Sequence, residues 1–206
     1  MENRTIIATH SQSAFARHAR KLGLCVMGME EAPARWEQCE AVYWEMQAMR
    51  NIVDHNRMMG ILLKVPKECV RILDFSMREL GPADKDVVRR SLVQCNLLKI
   101  EERELSPLCH LLGLSSQSVF DCCFDLMAAF NIQTLILIHG KHGCHVFQGN
   151  VVSEKIGHIS FGNCTIEEAE GAFTAAYYAA SCEKGKLFTE YHRKALEYLE
   201  HVCKSR

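Results

Sequence analysis

Proline occurs four times and glycine twelve times in 206 residues, and neither gathers into tracts, so collagen-like and linker-rich architectures are excluded. Neither sign of charge prevails. Lys+Arg 24 against Asp+Glu 25 leaves a formal net charge of -1, without the basic field that phosphate neutralisation demands, so the chain is not read as a nucleic-acid binder. No apolar run approaches the length needed to span a bilayer; Thr134, Leu135, Ile136, Leu137 and Ile138 belong in a sheet, and no membrane partner is expected. Residues 1–13 are polar and lack the apolar stretch of a secretory signal, which predicts a cytoplasmic address. There is no Cys-x-x-Cys pair, which removes the commonest zinc and redox signatures.

Cysteine itself is plentiful, at eleven residues. An odd count, the adjacent pair Cys122 and Cys123, and the polar start argue against a disulfide framework. Cys25, Cys69, Cys95 and Cys122 stand beside apolar residues, where a reduced thiol behaves as a small hydrophobe. With 48% hydrophobic and 24% charged residues the composition is that of a globular chain, read as one domain over residues 1–206.

Hydrophobic periodicity alternates helix and strand. The first segment, up to Gly23, reads as helical, with a helix over residues 13–22 closed by Gly23. Strands are predicted at 25–27, 40–44, 70–75 and 96–100, and helices over 47–63 (on Met49, Ile52, Val53, Met59 and Leu62) and 87–92 after a turn at 81–84. An acidic helix start follows at 101–104, and a helix over 116–130 is capped by Ser116 or Ser118. Strands at 133–139 and 144–147 are joined by Gly140-Lys141-His142-Gly143, with glycines where a hairpin needs positive φ. Helices at 165–182 and 188–202 close the chain. Strands separated by helices imply an α/β fold, a mostly parallel sheet with helices on both faces. Ligands bind such sheets at the carboxyl ends of the strands, so the loops after Phe75, Ile100 and Ile138 are where a site is expected.

Four segments, taken in order, resemble the C-terminal two-thirds of a PfkB/ribokinase-type carbohydrate kinase of the fructokinase-like branch. Residues 70–78 are similar to a strand ending in Asp-x-Asn-x-Arg, with Asp74 and Arg78 present and Ser76 in place of Asn. Residues 96–105 resemble the Asn-x-x-Glu segment, with Glu104 kept and Glu101 in place of Asn. Residues 136–143 resemble the nucleotide-side Thr-x-Gly-x-x-Gly loop, keeping Gly140 and Gly143 with Ile138 for Thr. Residues 164–176 are similar to Asp-Thr-x-Gly-Ala-Gly-Asp-Ala-Phe. The likeness runs over residues 40–203 and leaves 1–39 poorly matched. It implies a ribokinase-like fold, ATP-dependent phosphoryl transfer to a sugar hydroxyl, and ATP and Mg²⁺ as cofactors. On this likeness Glu104 stands behind the metal, Gly140, Gly143, Ala169 and Ala172 border the nucleotide with it, and Asp74 and Arg78 contact the substrate.

Departures from the family pattern bear on activity. The aligned glycines of the anion-binding turn are Glu168 and Glu170, and the aligned catalytic Asp is Gly171. Two carboxylates at a helix N-terminus repel a polyphosphate, and Thr165-x-x-Glu168 reads as a capping box that satisfies the helix's own N–H groups. Glu170 is the nearest substitute base. No Gly-Gly pair exists to make the family's sugar contact, so the N-terminal sugar-binding and lid part is expected to be missing. The expectation is a kinase homologue with impaired catalysis, or else a non-catalytic nucleotide-binding or protein-interaction pseudokinase, with a homodimer or partner chain covering an exposed sheet edge.

The remaining constellations are weaker. His139, His142, Cys144 and His145 could chelate zinc or copper, but neighbours along a strand point to opposite faces, which separates Cys144 from His145. Cys109-His110 and Cys144-His145 lack an identifiable base in space for a nucleophilic cysteine.

Overall fold

The strands form on short apolar runs, and both faces of the interior strands are covered. In a computed structural model of the chain, the described residues are 5–31, 36–78, 80, 84–115, 117–156, 164–183 and 185–204. The order is β1 (Thr5–Ala8), α1 (Ala14–Lys21), β2 (Cys25–Gly28), β3 (Cys39–Glu45), α2 (Ile52–Leu62), β4 (Val70–Asp74), α3 (Lys85–Gln94), β5 (Leu97–Glu101), α4 (Glu102–Leu112), α5 (Val119–Phe130), β6 (Thr134–Ile138), β7 (Gly143–Gln148), β8 (Val151–Ile156), α6 (Ile166–Ser181) and α7 (Phe188–Lys204).

The eight strands make one sheet in the order β2-β1-β3-β4-β5-β6-β7-β8. It is parallel from β2 to β6, and β7 and β8 continue it antiparallel. Strand alternation divides the core in two. Val42 and Trp44 of β3, Leu98 and Ile100 of β5, and Leu135 and Leu137 of β6 pack with α2, α3, α4 and α5 on one face. Ala41, Tyr43, Leu97, Ile136 and Ile138 pack with α1, α6 and α7 on the other. The α/β architecture with a mostly parallel sheet and helices on both faces is thus present. Among the described residues no helix is long and apolar enough to cross a membrane.

Three local expectations need correction. The first segment is not wholly helical: Thr5–Ala8 forms β1, all four residues buried, in the sheet interior between β2 and β3. The helix expected over 47–63 is split into a 3-10 turn, Met46–Arg50, and α2, because Asn51 leaves the helical region and caps α2 through its side chain. Ile52 and Val53, expected in the core, therefore stand exposed on the first turn of α2. β8 has no counterpart among the predicted elements, because its charged, alternating sequence is that of a polar edge strand. The turn at 81–84, apart from Asp84, and the alternative cap Ser116 lie outside the described residues.

The chain reverses its direction of travel across the sheet at β1, with β2 on one side and β3 on the other. A crevice at the carboxyl ends of the strands is expected at such a switch point.

Candidate functional site

That crevice is a cavity of about 370 Å³. It is lined by Ser13 and Arg17 after β1, Glu45 and Gln47 at and after the end of β3, Asp74, Ser76 and Arg78 at and after the end of β4, Glu101 at the end of β5, and Thr165, Glu167, Glu168, Glu170 and Gly171 at the start of α6. The site is assembled from residues far apart in sequence because parallel strands all end at one edge of the sheet.

Its floor is an ionic cluster. Lys99 occupies a β5 position whose neighbours Leu97 and Ile136 face α6, so the alternation that buries apolar side chains also buries this ammonium, which is 5% exposed. There it donates to Asp74 Oδ1 at 2.9 Å and to Glu170 Oε2. Tyr43 O–H donates to the other Asp74 oxygen at 2.8 Å. Burial opposes the charge on Lys99, yet Asp74 and Glu170 together outweigh it and push its pKa above the ordinary lysine value. One ammonium cannot fully compensate two carboxylates. Burial accordingly pushes the more enclosed of them, Glu170, up against the pull of Lys99.

The wall is α1. Ser13 caps it by accepting from Ala16 N–H at 3.2 Å, and Phe15 stacks on Tyr43 with ring centroids 4.0 Å apart. Next to that stack α1 crosses α6 at Gly171. A Cβ added there would meet Ala14 Cβ at 2.5 Å and the Phe15 backbone nitrogen at 2.7 Å, so the position is a glycine because a second backbone occupies the space a side chain would need. Glu168, one turn from the helix start, ties the two helices together. It accepts from Arg17 and from His18 Nε2, the latter at 3.0 Å, and Tyr198 O–H lies 3.0 Å from His18 Nδ1. Burial works against its charge, but the Arg17 and His18 hydrogen bonds prevail and hold Glu168 below the ordinary carboxylate value. At the helix start Thr165 Oγ1 accepts from Glu168 N–H at 3.1 Å.

The residues singled out from sequence divide into three groups. Asp74, Arg78, Glu170 and Gly171 share the cavity, with Arg78 reaching Glu167 at 3.0 Å across its rim. Gly140, Gly143 and Ala169 meet in a separate cleft, with Glu170 as the partition between the two. This cleft encloses about 20 Å³, room for about one water molecule. Gly140 and Gly143 do adopt positive φ, at 57° and 115°, as their turn requires. Ala172 is fully buried in the core, away from either opening. Glu104 is buried and its Oε1 accepts from Ser76 Oγ at 2.9 Å and from Met77 N–H at 2.8 Å, bracing the loop after β4. Its Oε2 has no hydrogen-bond partner among the described residues and no solvent contact.

Sequence reading missed Lys99, Arg17 and His18. A lone charge inside the apolar run Leu97 to Ile100 was the available signal for Lys99; for α1 there was none, since its partner lies 150 residues away.

The other constellations resolve in space. Cys144 and His145 do point to opposite faces: Cys144 Sγ lies 3.1 Å from His192 Nε2 in one core, while His145 meets His139 across the turn. Burial pushes Cys144 up to about 12 and His192 down to about 4, which keeps that pair a neutral thiol and imidazole, unlike an activated nucleophile. Among the described residues no group of three His, Cys, Asp or Glu side chains is placed to hold a metal ion.

No protein-family profile matches the sequence, and no curated protein matches it either. Solved structures do. The pyridoxal kinase from Staphylococcus aureus in complex with ADP matches with a TM-score of 0.70 at 13% identity, covering 97% of this chain and 87% of that one. A fructokinase double mutant from Vibrio cholerae O395, bound to fructose, ADP and potassium, matches with a TM-score of 0.62 at 18% identity over 86% of this chain and 56% of that one. The fructokinase from Xylella fastidiosa with bound ATP gives a TM-score of 0.59 at 11% identity, again over 56% of its own length. Both kinds of neighbour are PfkB/ribokinase-superfamily kinases, and the chain has the ribokinase-like fold that they share.

Proposed function

We propose that this chain is a PfkB-type kinase homologue that has lost phosphoryl transfer, a pseudokinase acting as a binding or interaction protein. One observation carries the reading: Lys99 bridges Asp74 and Glu170 directly beside Gly171, and α1 lies against Gly171 where a catalytic carboxylate would have to stand.

A phosphate cradle needs unobstructed N–H groups at the positive end of a helix. In α6 Glu168 in the first turn and Glu170 just beyond it are both buried and both ion-paired, and Thr165 takes the Glu168 N–H. A phosphate reaching these N–H groups would have to displace the carboxylates from their ion pairs with Arg17 and Lys99, leaving buried charges uncompensated. The cleft between Gly140, Gly143 and Ala169 is too small for a ribose or a phosphate group. Glu104, the residue expected behind magnesium, spends one oxygen on Ser76 and Met77 and has the other sealed. These residues do not fit ATP and Mg²⁺.

The cavity itself is of small-ligand size, and Arg17, Arg78, Tyr43, Gln47 and Asp74 give it a polar lining. That supports retention of a polar small molecule without turnover. The free edge of β2, four residues without a charge, supports a homodimer or a partner chain adding there. Eleven cysteines, none of them disulfide-bonded, support a cytoplasmic address.

A coupled ADP-release assay with pyridoxal and a panel of sugars tests the reading. No substrate-dependent ADP release is expected. Turnover that Glu170→Ala abolishes would establish an active kinase with a displaced base instead.

A further inference from the structure

At the opposite end of the sheet from the crevice, the N-terminal ends of β3 and β4 bring two cysteines together. Cys39 opens β3 and Cys69 immediately precedes β4. Their sulfurs are 3.9 Å apart, with the Cys69 thiol donating toward Cys39.

A bulge creates this meeting. Against β1, the β3 register passes from Cys39 opposite Thr5 to Ala41 opposite Ile6, so Glu40 is the extra residue. Without it, Cys39 would share a face with Ala41 and Tyr43, which pack toward α6. With it, Cys39 turns to the other face and packs in the same core as Val42, Trp44 and Cys69. Ala41 pairs with Val70, so Cys69 lies one step before that rung and Cys39 two. Strand spacing and rise then put their Cα atoms about 6 Å apart, inside the range a disulfide spans.

Cys39 and Cys69 are among the residues lining a cavity of about 420 Å³, with Tyr178 and Cys182. It brings a small oxidant to within a short opening of the pair, whose side chains are otherwise buried. We propose that Cys39 and Cys69 are a redox-active dithiol, closed to an intramolecular disulfide by hydroperoxides that enter this cavity.

The Cys39 sulfur attacks the peroxide, the O–O bond breaks, and hydroxide or alkoxide leaves and takes up a proton, leaving Cys39 as a sulfenic acid. Cys69 then attacks that sulfur; the S–O bond breaks and water departs with the Cys69 proton. Two thiols and one hydrogen peroxide thus give one disulfide and two waters. The division of labour follows the shared proton: the hydrogen bond from Cys69 draws Cys39 below its ordinary value against burial, while the same bond and burial push Cys69 up. Cys95 lacks a thiol partner among the described residues, and burial drives it up to about 12.

The test treats the reduced full-length chain with hydrogen peroxide and maps it by mass spectrometry. The expected product has lost two hydrogens, yields a Cys39–Cys69 linked peptide, and reverts with dithiothreitol. Cys69→Ser should instead accumulate a dimedone-trappable sulfenic acid at Cys39, and Cys39→Ser should give neither product. In the untreated wild-type chain, iodoacetamide should label Cys39 at least about tenfold faster than Cys95. A disulfide between Cys39 and Cys182, oxidation at other cysteines while Cys39 and Cys69 stay reduced, or equal labelling of Cys39 and Cys95 would each overturn the proposal. The wild-type mapping needs no variant to fold.

Discussion

Replacing Lys99 by Met is the most informative perturbation of the site. The substitution keeps the length of the side chain and removes the one cation that contacts both Asp74 and Glu170, whose side chains are 19% and 7% exposed. Taking one partner out of a buried ion pair costs about 3–5 kcal/mol, because an uncompensated charge stays behind. Against a total stability of roughly 5–15 kcal/mol this is severe without being certain to unfold the chain. For a chain of this length it corresponds to a fall in Tm of roughly 6–20 °C. Glu170 takes the load, since Asp74 keeps the Tyr43 hydrogen bond and more water. Its folded-state pKa, already raised by burial, rises further, so between the ordinary carboxylate value and that raised value the native state holds a proton the unfolded chain lacks. Stability of the variant therefore increases as pH falls through this window, by up to about 2.7 kcal/mol from pH 7 to pH 5 relative to wild type. Adding Glu170→Gln should recover more than half of the loss. Urea denaturation followed by circular dichroism at both pH values gives the free energies, and a thermal melt gives the fall in Tm. A Lys99→Met variant within about 1 kcal/mol of wild type, or a deficit that does not shrink on acidification, would refute the reasoning.

Gly171→Asp, which restores the family's catalytic residue, should create no kinase activity and should lower stability by about 3 kcal/mol or more, because its Cβ collides with the α1 backbone. Gly171→Ala, measured by the same denaturation, should show most of that loss. Glu168→Gln should cost about 1–3 kcal/mol at pH 7 by weakening the Arg17 and His18 hydrogen bonds. Because Glu168 is held below its ordinary value, its contribution is complete above the unfolded carboxylate pKa and disappears as pH falls through the folded one, so the wild-type and Glu168→Gln curves should converge in acid. His192, brought down to about 4 by burial, should remain neutral at pH 5 in an NMR titration. Its unfolded form protonates near 6.5, so it draws stability down as pH falls from there toward 4, and a His192 resonance titrating near 6.5 would contradict its placement.

Much of the fold was legible because burial on both faces leaves a strong local signature. Val42 to Trp44, Leu97 to Ile100 and Thr134 to Ile138 announce interior strands, and Ser13, Ser118 and Thr165 each cap the helix that follows them. Thr5–Ala8 was lost because three apolar residues, Ile6, Ile7 and Ala8, beside His10 and Ser11 are too short a run to outweigh the helix after them. Val151–Ile156 was lost because an exposed edge strand carries charge. Ile52 and Val53 mimicked a buried helix face until Asn51 shifted the helix phase.

The site was legible in its parts and not in its closure. Asp74, Glu170 and Gly171 could be picked out along the chain, but their shared lysine and the crossing of α1 over Gly171 are contacts across 71 and roughly 150 residues, which local patterns do not encode. Gly171 shows the difference plainly. In the sequence it marks a missing carboxylate; in space it marks a helix crossing that leaves no room for one.

The most direct measurement is a crystal structure of the chain soaked with Mg²⁺ and a non-hydrolysable ATP analogue. The account predicts Lys99 still bridging Asp74 and Glu170, with no phosphate at the first turn of α6. A terminal phosphate seated on the backbone N–H groups of the first turn of α6, with Glu168 and Glu170 swung aside, would contradict it.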